Sequence, residues 1–310
     1  MTNPESPRVS VVMTAYNRAD YLTEAIESVL AQSFADFELI VVDDHSTDDT
    51  VGVARKYLTD PRVRVMSNAH NLGDYPNRNF AASLARGEYL KYHDSDDVMY
   101  GHCLQVMVSA MDSESRADFA LTSHRSWPGG PSPMLLTPRR AYEREFLGTG
   151  IFQLGPSCGL FRRRFFESIG GFPEEGGASD YLFWFKACAR GRALLVPGDL
   201  FYYRVHAGQM LQRDQNAIEY AHARRLAWSQ LSSSGCPLDR ADLERAKRNF
   251  VFTLARDVYY QVRDGNLKAA RALFGSLDAR TWARYLRLPL RSPETAAQDG
   301  SVEQSATSAT

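Results

Sequence analysis

The chain has 310 residues, of which 44% are hydrophobic and 24% are charged, with a formal net charge of −1. This composition is typical of a globular protein with a sizeable core, and the near-neutral charge argues against a nucleic-acid-binding protein. We see no secretory signal and no stretch near the roughly 18 apolar residues that a membrane span requires. The four cysteines lack CxxC spacing, which favours free thiols over a zinc site and predicts a cytoplasmic protein.

The first 125 residues alternate strand and helix patterns. Strands are predicted at 9–16, 37–44, 63–67, 88–93 and 118–123. Helices are predicted at 22–30, after Ser46 as N-cap, near 76–85 and at 102–111. Alternation at this spacing predicts a parallel, doubly wound α/β sheet with right-handed crossovers.

The second half is less regular until its end. Residues 127–147 are rich in Pro, Gly and Arg and are predicted to form a loop or irregular hairpin. A short strand, a helix and a glycine-rich loop follow, then a helix near Asp180 and two short strands around Pro197-Gly198. After this, helices alone are predicted, at 217–230, 241–262 and 267–274, and the small polar residues from 292 onward predict disorder.

Acidic residues follow two of the predicted strands. Asp43 and Asp44 end the second strand, and Asp94, Asp96 and Asp97 follow the strand at 88–93. In doubly wound sheets, ligands bind at the carboxyl ends of strands. Closely spaced carboxylates repel one another unless a cation lies between them, so this pattern predicts a site for Mg²⁺ or Mn²⁺.

The acidic stretch also permits another interpretation. Asp94-Ser95-Asp96-Asp97-Val98 fits DxDx[TV], the nucleophile loop of haloacid-dehalogenase-like phosphatases, in which Asp94 would attack phosphorus and Asp96 would act as acid and base. That loop normally follows the first strand of its domain, whereas several strand–helix units precede it here.

The turn after the first strand, "MTAYNRADYL", contains no glycine, so a dinucleotide-binding phosphate loop is disfavoured. Tyr16 in this turn could stack on a nucleotide base or simply pack at the edge of the sheet. Asp44, at the end of the neighbouring strand, could accept hydrogen bonds from a base or ribose, or cap the following helix.

Two long stretches and three shorter ones together resemble a family 2 glycosyltransferase of GT-A fold. They are "VSVVMTAYNRADYLTEAIESVLAQSFADFELIVVDDHSTDDT", "NLGDYPNRNFAASLARGEYLKYHDSDD" and, later and in order, "GGFPE", "SDYLFWFKACARG" and "YYRVHAGQM". The resemblance implies a mixed α/β sheet flanked by helices, and the C-terminal helices lie outside it. Together with the helix pattern and composition, it divides the chain into a tail at 1–7, a catalytic domain at 8–213 (nucleotide-binding half 8–125, acceptor half 126–213), a helical extension at 214–291 and a disordered tail at 292–310.

The resemblance also implies roles for individual residues. Asp180 matches the catalytic base, and Ser179 before it stands where relatives often carry a second acid. Asp96 or Asp97, together with His206, would bind Mn²⁺ or Mg²⁺, with Asp94-Ser95-Asp96 as the DxD motif. The residues matching nucleotide-binding positions are Thr14, Tyr16, Asp44, Arg78, Asn79 and Asp94.

The activity that this resemblance implies is an inverting transfer of a sugar, by a single displacement. The donor would be a nucleotide-diphosphate sugar, UDP most of all, and the acceptor a hydroxyl of a saccharide or lipid-linked saccharide in surface polysaccharide or glycoconjugate synthesis. A nucleotide-sugar-binding protein without activity is the alternative from another class, although Asp94, Asp96 and Asp180 are all present.

Residues 263–291 are basic and amphipathic. Leu267, Ala270, Phe274 and Leu277 share one predicted helical face, with Trp282 beyond it. Such a segment could lie on the inner, anionic face of a membrane or pack as a helical cap on the catalytic domain.

Overall fold

The computed structural model describes residues 6–122, 132–206 and 213–286. Ten strands are present in these ranges: β1 (Val9–Ala15), β2 (Phe37–Asp43), β3 (Val63–Ser67), β4 (Tyr89–Tyr92), β5 (Val98–Met99), β6 (Phe119–Leu121), β7 (Met134–Leu136), β8 (Gly159–Arg162), β9 (Ala193–Leu195) and β10 (Phe201–Tyr202). The helices are α1 (Ala19–Leu30), α2 (Thr50–Arg55), α3 (Asp74–Ser83), α4 (Cys103–Ser113), α5 (Pro138–Leu147), α6 (Arg163–Ser168), α7 (Ser179–Arg190), α8 (Arg213–Ser232), α9 (Arg240–Arg263), α10 (Leu267–Phe274) and α11 (Ala279–Leu286).

Eight strands form one mixed sheet in the order β3-β2-β1-β4-β8-β6-β9-β7. The first four are parallel, as the sequence predicts, whereas β8 runs antiparallel to both β4 and β6. The chain moves outward from β1 to β2 and β3 and then returns to place β4 on the other side of β1. This reversal makes the carboxyl ends of β1 and β4 the switch point at which such sheets bind ligands.

Side chains of β1 and β2 alternate between two hydrophobic cores, because successive residues of a strand point to opposite faces. Val11 and Leu39 pack with α1 and α4 on one face, while Val12 and Ile40 belong to the larger core on the other face. Both faces are covered, which accounts for the continuous apolar runs in the sequence.

The C-terminal helices share the larger core with the sheet. Phe250 of α9 lies 6.4 Å from Phe146 of α5, ring centroid to ring centroid, and Leu273 and Trp282 belong to the same cluster of buried side chains. The helical extension is therefore an integral part of the hydrophobic core. No helix of the described ranges is long and apolar enough to cross a membrane.

The structure corrects two predictions of secondary structure in the catalytic domain. The loop predicted for 127–147 instead contains β7 and α5, and α5 begins with Thr137 as N-cap and Pro138 in its first turn. The helix was not predicted from the sequence because its many arginines resemble a polar loop. In the structure they lie on an exposed face of α5, where Arg139 pairs with Glu143. Ser46 is not the N-cap of α2, which begins at Thr50; its hydroxyl accepts a hydrogen bond from the Asn17 amide instead.

The predicted apolar face of residues 267–277 is only half correct. Ala270 and Leu277 are buried, but Leu267 and Phe274 are 66% and 56% exposed. Leu273 is the residue that inserts between α10 and its neighbours. The predicted disordered tail at 292–310 lies outside the described residues.

Candidate active site

Asp94, Asp97 and Asp180 line one cleft of about 1310 Å³. Asp94 and Asp97 follow β4, at the switch point of the sheet, and Asp180 stands in the first turn of α7. The tertiary structure thus brings together three carboxylates that the sequence separates by up to 86 positions (180 − 94). Three buried or half-buried carboxylates in one cleft need cations or protons to neutralise them.

Asp94 is neutralised by an arginine of α3. Arg78 Nη2 donates to Asp94 Oδ1 at 2.7 Å, and Arg78 Nε donates to Asp74 Oδ1 at 2.8 Å. The Ser157 hydroxyl donates to Asp94 Oδ2 at 2.8 Å. Burial opposes ionisation of Asp94, but the Arg78 charge and these hydrogen bonds outweigh burial and lower its pKa. Asp94 is therefore an anion whose two oxygens are already engaged by the protein.

Asp97 has the opposite character. Its Oδ1 accepts a hydrogen bond from the Arg204 backbone amide at 3.0 Å, while its buried Oδ2 has no hydrogen-bond partner among the described residues. Burial, followed by the charge of Asp94, raises the pKa of Asp97 to about 8. An unpartnered carboxylate oxygen of this kind, in a residue that lines the cleft, is available to a cation or a ligand hydroxyl.

Asp96 lies between a guanidinium group and an imidazole ring. Its Oδ2 is 3.0 Å from Arg18 Nε and 3.0 Å from His206 Nε2. The His206 ring also packs against Tyr21, with 4.4 Å between the ring centroids. His206, predicted from sequence as a metal ligand, is thus brought beside the predicted metal-binding carboxylate from 110 positions away.

These residues fit a divalent cation only in part. Within the described ranges, no group of three or more His, Cys, Asp or Glu side chains converges as a complete metal site. Asp96, His206 and the orphaned oxygen of Asp97 supply oxygen and nitrogen ligands that suit Mn²⁺ or Mg²⁺. Such ions often take few protein ligands and complete their shell with water and substrate phosphate, so the donor set is compatible with the cation.

The Asp180 carboxylate is held at the start of α7 by the backbone amide of the next residue. The Tyr181 amide donates to Asp180 Oδ1 at 2.6 Å. Ser179, beside it, is fully buried and accepts a hydrogen bond from the Glu175 amide, which fixes the preceding turn. Burial is the largest cause of a pKa for Asp180 of about 6. A carboxylate with this pKa is ionised at neutral pH yet basic enough to accept a proton.

The predicted nucleotide side of the site lies at the ends of β1 and β2. Tyr16 is 46% exposed just after β1, so its ring is accessible for stacking, and Thr14 is nearly buried. Asp44 does not cap α2. Its carboxylate accepts hydrogen bonds from Asn68 Nδ2, the Leu72 amide and the Gly73 amide at 2.8 to 2.9 Å, and so fixes the loop before α3.

Asn79 lies on α3 next to Arg78 but points toward another segment. Its Oδ1 accepts from the Phe172 amide and its Nδ2 donates to the Phe172 carbonyl, both at 2.9 Å. Gly171, with a φ of +63°, allows the close approach, since a Cβ there would come within 2.5 Å of Asn79 Oδ1. In the structure, Asn79 fixes the "GGFPE" loop that leads toward Asp180.

The structure adds three site residues that the sequence analysis missed. Arg18 contacts Asp96, Ser157 contacts Asp94, and Arg204 donates through its backbone amide to Asp97 and through Nε to the Asp96 carbonyl. Arg18 could have been found, since it follows a strand end in the turn that carries Tyr16. Nothing in the local sequence identifies Ser157 and Arg204 as site residues, because their roles depend on contacts with residues 63 and 107 positions away.

The model of the family described as "Glycosyl transferase family 2" matches residues 10–170, more than half of the chain. The chain therefore belongs to glycosyl transferase family 2, as its sequence resemblance predicts, and its enzyme class is that of a glycosyltransferase. The match spans β1 to α6 and thus includes the carboxylates after β4. It gives no support to the phosphatase alternative.

Two curated relatives show how far the similarity extends. Poly(ribitol-phosphate) beta-N-acetylglucosaminyltransferase TarS of Staphylococcus aureus is 30% identical over 201 residues, which cover 63% of this chain and 35% of that protein. UDP-Glc:alpha-D-GlcNAc-diphosphoundecaprenol beta-1,3-glucosyltransferase WfaP of Escherichia coli is 28% identical over 218 residues, covering 65% of this chain and 79% of that protein. The aligned part is thus about a third of the staphylococcal relative.

Solved structures share the fold. TarS residues 1–349 of S. aureus in complex with UDP superpose with a TM-score of 0.65 at 23% identity, covering 88% of this chain and 82% of that one. The mannosyltransferase PcManGT of Pyrobaculum calidifontis, in complex with GDP-Man and Mn²⁺, gives a TM-score of 0.60 at 21% identity, covering 91% and 84%. These likenesses establish the GT-A fold, including helices beyond the catalytic sheet.

The raised pKa of Asp180 predicts a stability effect. The charged carboxylate is less favourable in the folded than in the unfolded chain, so Asp180→Asn should raise the free energy of unfolding at pH 7.5 by about 1–3 kcal/mol. Asp180 has a pKa of about 6 in the folded chain and an ordinary value of 3.8 in the unfolded chain. The gain in stability should therefore be complete above about pH 6. It should be lost as the pH falls from 6 toward 3.8, because the wild-type carboxyl then takes up its proton in the folded chain. Urea unfolding at several pH values measures both. Asp264→Asn, at an exposed carboxylate, is the control, and a less stable Asp180→Asn would contradict the prediction.

Proposed function

We propose that this protein is an inverting glycosyltransferase that uses Asp180 as its base. The observation that carries the proposal is the shared cleft, in which one carboxylate with a pKa of about 6 faces the acidic residues after β4. A retaining double displacement would need a second carboxylate positioned as nucleophile. Asp94 is poorly suited to that role, since Arg78 and Ser157 occupy its oxygens.

A nucleotide-diphosphate sugar is the proposed donor, with UDP as the nucleotide. One structural neighbour was solved with UDP and UDP-GlcNAc, and the name of the E. coli relative gives UDP-Glc as its donor. In this chain, the exposed Tyr16 ring would stack on the base, next to Thr14.

Asp44 would act mainly by holding the loop before α3, because three protein donors already occupy its carboxylate. Arg78, whose buried Nη1 lacks a partner among the described residues, would orient Asp94 toward the donor.

Asp96 and His206 would hold a divalent cation, with Asp97 as the third candidate ligand. When bound, Mn²⁺ or Mg²⁺ supplies a Lewis acid for the oxygens of the departing diphosphate. Arg18 donates to Asp96 in the structure. When the donor binds, Arg18 would leave Asp96 and contact the diphosphate instead. Arg204 keeps the acidic loop in place through its bonds to Asp97 and the Asp96 carbonyl.

Asp180 would remove the proton from the acceptor hydroxyl as its oxygen attacks the anomeric carbon. The Tyr181 amide holds one carboxylate oxygen, which leaves the other to accept the proton. The new C–O bond forms on the face opposite the departing nucleotide diphosphate, so the anomeric configuration inverts. The acceptor that we propose is a saccharide or lipid-linked saccharide used in surface polysaccharide or glycoconjugate synthesis, the setting of the relatives that transfer to poly(ribitol-phosphate) and to a diphosphoundecaprenol-linked sugar.

Calorimetric titration tests the donor site. UDP should bind more tightly than dTDP or GDP in the presence of Mn²⁺, and EDTA should abolish most of that binding. Asp96→Ala should lower the affinity at least tenfold because it removes a metal ligand. Asp118→Ala, which changes a carboxylate away from the cleft, is the control. Equal binding of UDP with Mn²⁺ and with EDTA would rule out the metal-dependent site.

Turnover measurements test the base. Asp180→Asn should lower kcat by about 10²- to 10⁴-fold, the usual range for a positioned base, while the Kd for UDP with Mn²⁺ stays unchanged. In the wild-type protein kcat should fall about tenfold per pH unit below about pH 6, because protonation removes the base. An Asp180→Asn protein with wild-type kcat would refute the assignment. A wild-type protein that binds nucleotide but turns over no donor would instead favour the inactive binding protein.

The turn between α9 and α10 is a candidate for peripheral membrane contact. Tyr259, Val262 and Leu267 are 62%, 51% and 66% exposed there, beside the basic Arg263 and Lys268. Exposed apolar side chains flanked by cations suit an anionic bilayer surface. The opposite side of α10 packs on α8 and α9 through Ala269 and Leu273. The helix can therefore cover the core on one side and contact a membrane on the other.

Vesicle flotation measures that contact with the full chain. The double variant Val262→Ser/Leu267→Ser should lose most of the wild-type recovery with vesicles rich in anionic lipid, because it removes the apolar contact and keeps the charge. Leu58→Ser, which changes another leucine that is about half exposed, near α2, is the control. Equal recovery of wild type and double variant would show that this turn does not bind the membrane.

A further inference from the structure

The cleft that contains Asp180 continues along the C-terminal helices. Its wall there is formed by side chains of α8, including Tyr220, Ala223 and Arg224, and by Asn266 and Lys268 at the start of α10. These residues lie beyond the 10–170 segment that the family model matches. The helical extension therefore contributes one wall of the cleft, outside the segment that the family model matches.

This wall is held in a fixed position relative to the base by contacts of α8 with the turn that precedes Asp180. His222 of α8 lies 3.1 Å from Glu175, Nε2 to Oε2, and the Glu219 carboxylate lies against Gly177, where a Cβ would be only 2.7 Å away. The residue after Asp180 is fixed separately, because the Tyr181 hydroxyl donates to Glu145 Oε1 of α5 at 3.1 Å. A group bound to the α8 wall would therefore have a defined position relative to Asp180.

The wall carries two cations, Arg224 and Lys268, and one carboxylate, Glu219, which lies toward Gly177. The Arg224 side chain is only 13% exposed, and its Nε is buried without a hydrogen-bond partner among the described residues. Its nearest acidic partner is Asp257, at 3.4 Å, and it lies over the Tyr220 ring at 4.6 Å. A buried guanidinium with an unused N–H needs an additional acceptor, such as an oxygen of a bound anion.

Lys268 is exposed and forms no ion pair with any residue in the described ranges. It stands in the first turn of α10, where a side-chain cation gains nothing from the helix dipole. Its ammonium group is therefore available to a ligand in the cleft. Asp94, Asp97 and Asp180 line the part of the same cleft nearest the base, so an anionic group of the acceptor is favoured at the distal wall.

We propose that Arg224 and Lys268 form an acceptor subsite that binds a phosphate group of a phosphorylated saccharide, while Asp180 receives the acceptor hydroxyl. This inference rests on the proposed transferase function. Guanidinium and ammonium groups together suit a phosphate or diphosphate ester, which offers more acceptor oxygens than a sugar carboxylate. The acceptor class is thus a sugar phosphate or a sugar diphosphate ester.

The test uses the full chain saturated with UDP and Mn²⁺, so that the probes cannot enter the donor site. N-acetylglucosamine 1-phosphate, N-acetylglucosamine and glucuronate are titrated and their Kd values compared. The sugar phosphate should bind at least tenfold more tightly than the neutral sugar. Lys268→Ala should raise its Kd about fivefold or more, while the Kd for UDP stays unchanged. Arg271→Ala, which removes a charge one turn further along α10 and outside the cleft, should have no effect.

Arg224→Gln extends the test to the buried cation, and the melting temperature of this variant is measured in parallel. If Arg224→Gln unfolds, the Kd of Lys268→Ala for the sugar phosphate decides whether the subsite exists, because Lys268 is exposed and its replacement should leave the fold intact. Equal affinity for phosphorylated and neutral sugar would overturn the subsite. So would tighter binding of glucuronate, an equal effect of Arg271→Ala, or no binding of the sugar phosphate up to about 10 mM. Failure of UDP to bind at all would instead refute the proposed donor site, which separates the two proposals.

Discussion

The ion pair between Arg78 and Asp94 is the contact on which the site depends. Three acidic side chains share one cleft at the switch point of the sheet, and without a buried cation their mutual repulsion and desolvation would favour their neutral forms. Arg78, itself anchored by Asp74, keeps Asp94 ionised. Burial is the largest cause of the raised pKa values of Asp97 and Asp180, and the charge of Asp94 raises both further. One arginine on α3 thus keeps one carboxylate of the site ionised, and that charge acts on the other two.

The fold places these groups through the order of its strands. Because the chain builds β1, β2 and β3 outward and then inserts β4 on the far side of β1, the loops after β1 and β4 face the same space. Arg18 and Asp96 meet across that space, and β10, paired with β5, brings Arg204 and His206 to the same loop. The helical extension then closes the cleft, because α8 packs against the turn that precedes Asp180.

Sequence patterns located the strands of the first half closely, since a strand covered on both faces reads as a continuous apolar run. The prediction for 63–67 coincides with β3, and that for 267–274 coincides with α10. Helix α5 was missed because its arginines and its initial proline resemble a loop when the facing acidic residues are unknown. The predicted apolar face of α10 failed because Leu267 and Leu273 are equally hydrophobic, and only the position of α9 decides which one is buried.

The sequence by itself determined the class of fold, the family and the presence of acidic residues at strand ends, because each of these depends on local order along the chain. The tertiary structure decided which carboxylate is charged, which oxygen lacks a partner and which cation faces which acid. These properties arise from burial and from contacts such as that of Ser157 with Asp94, across 63 positions. A pKa depends on the whole surroundings of a group, and those surroundings exist only in the folded chain.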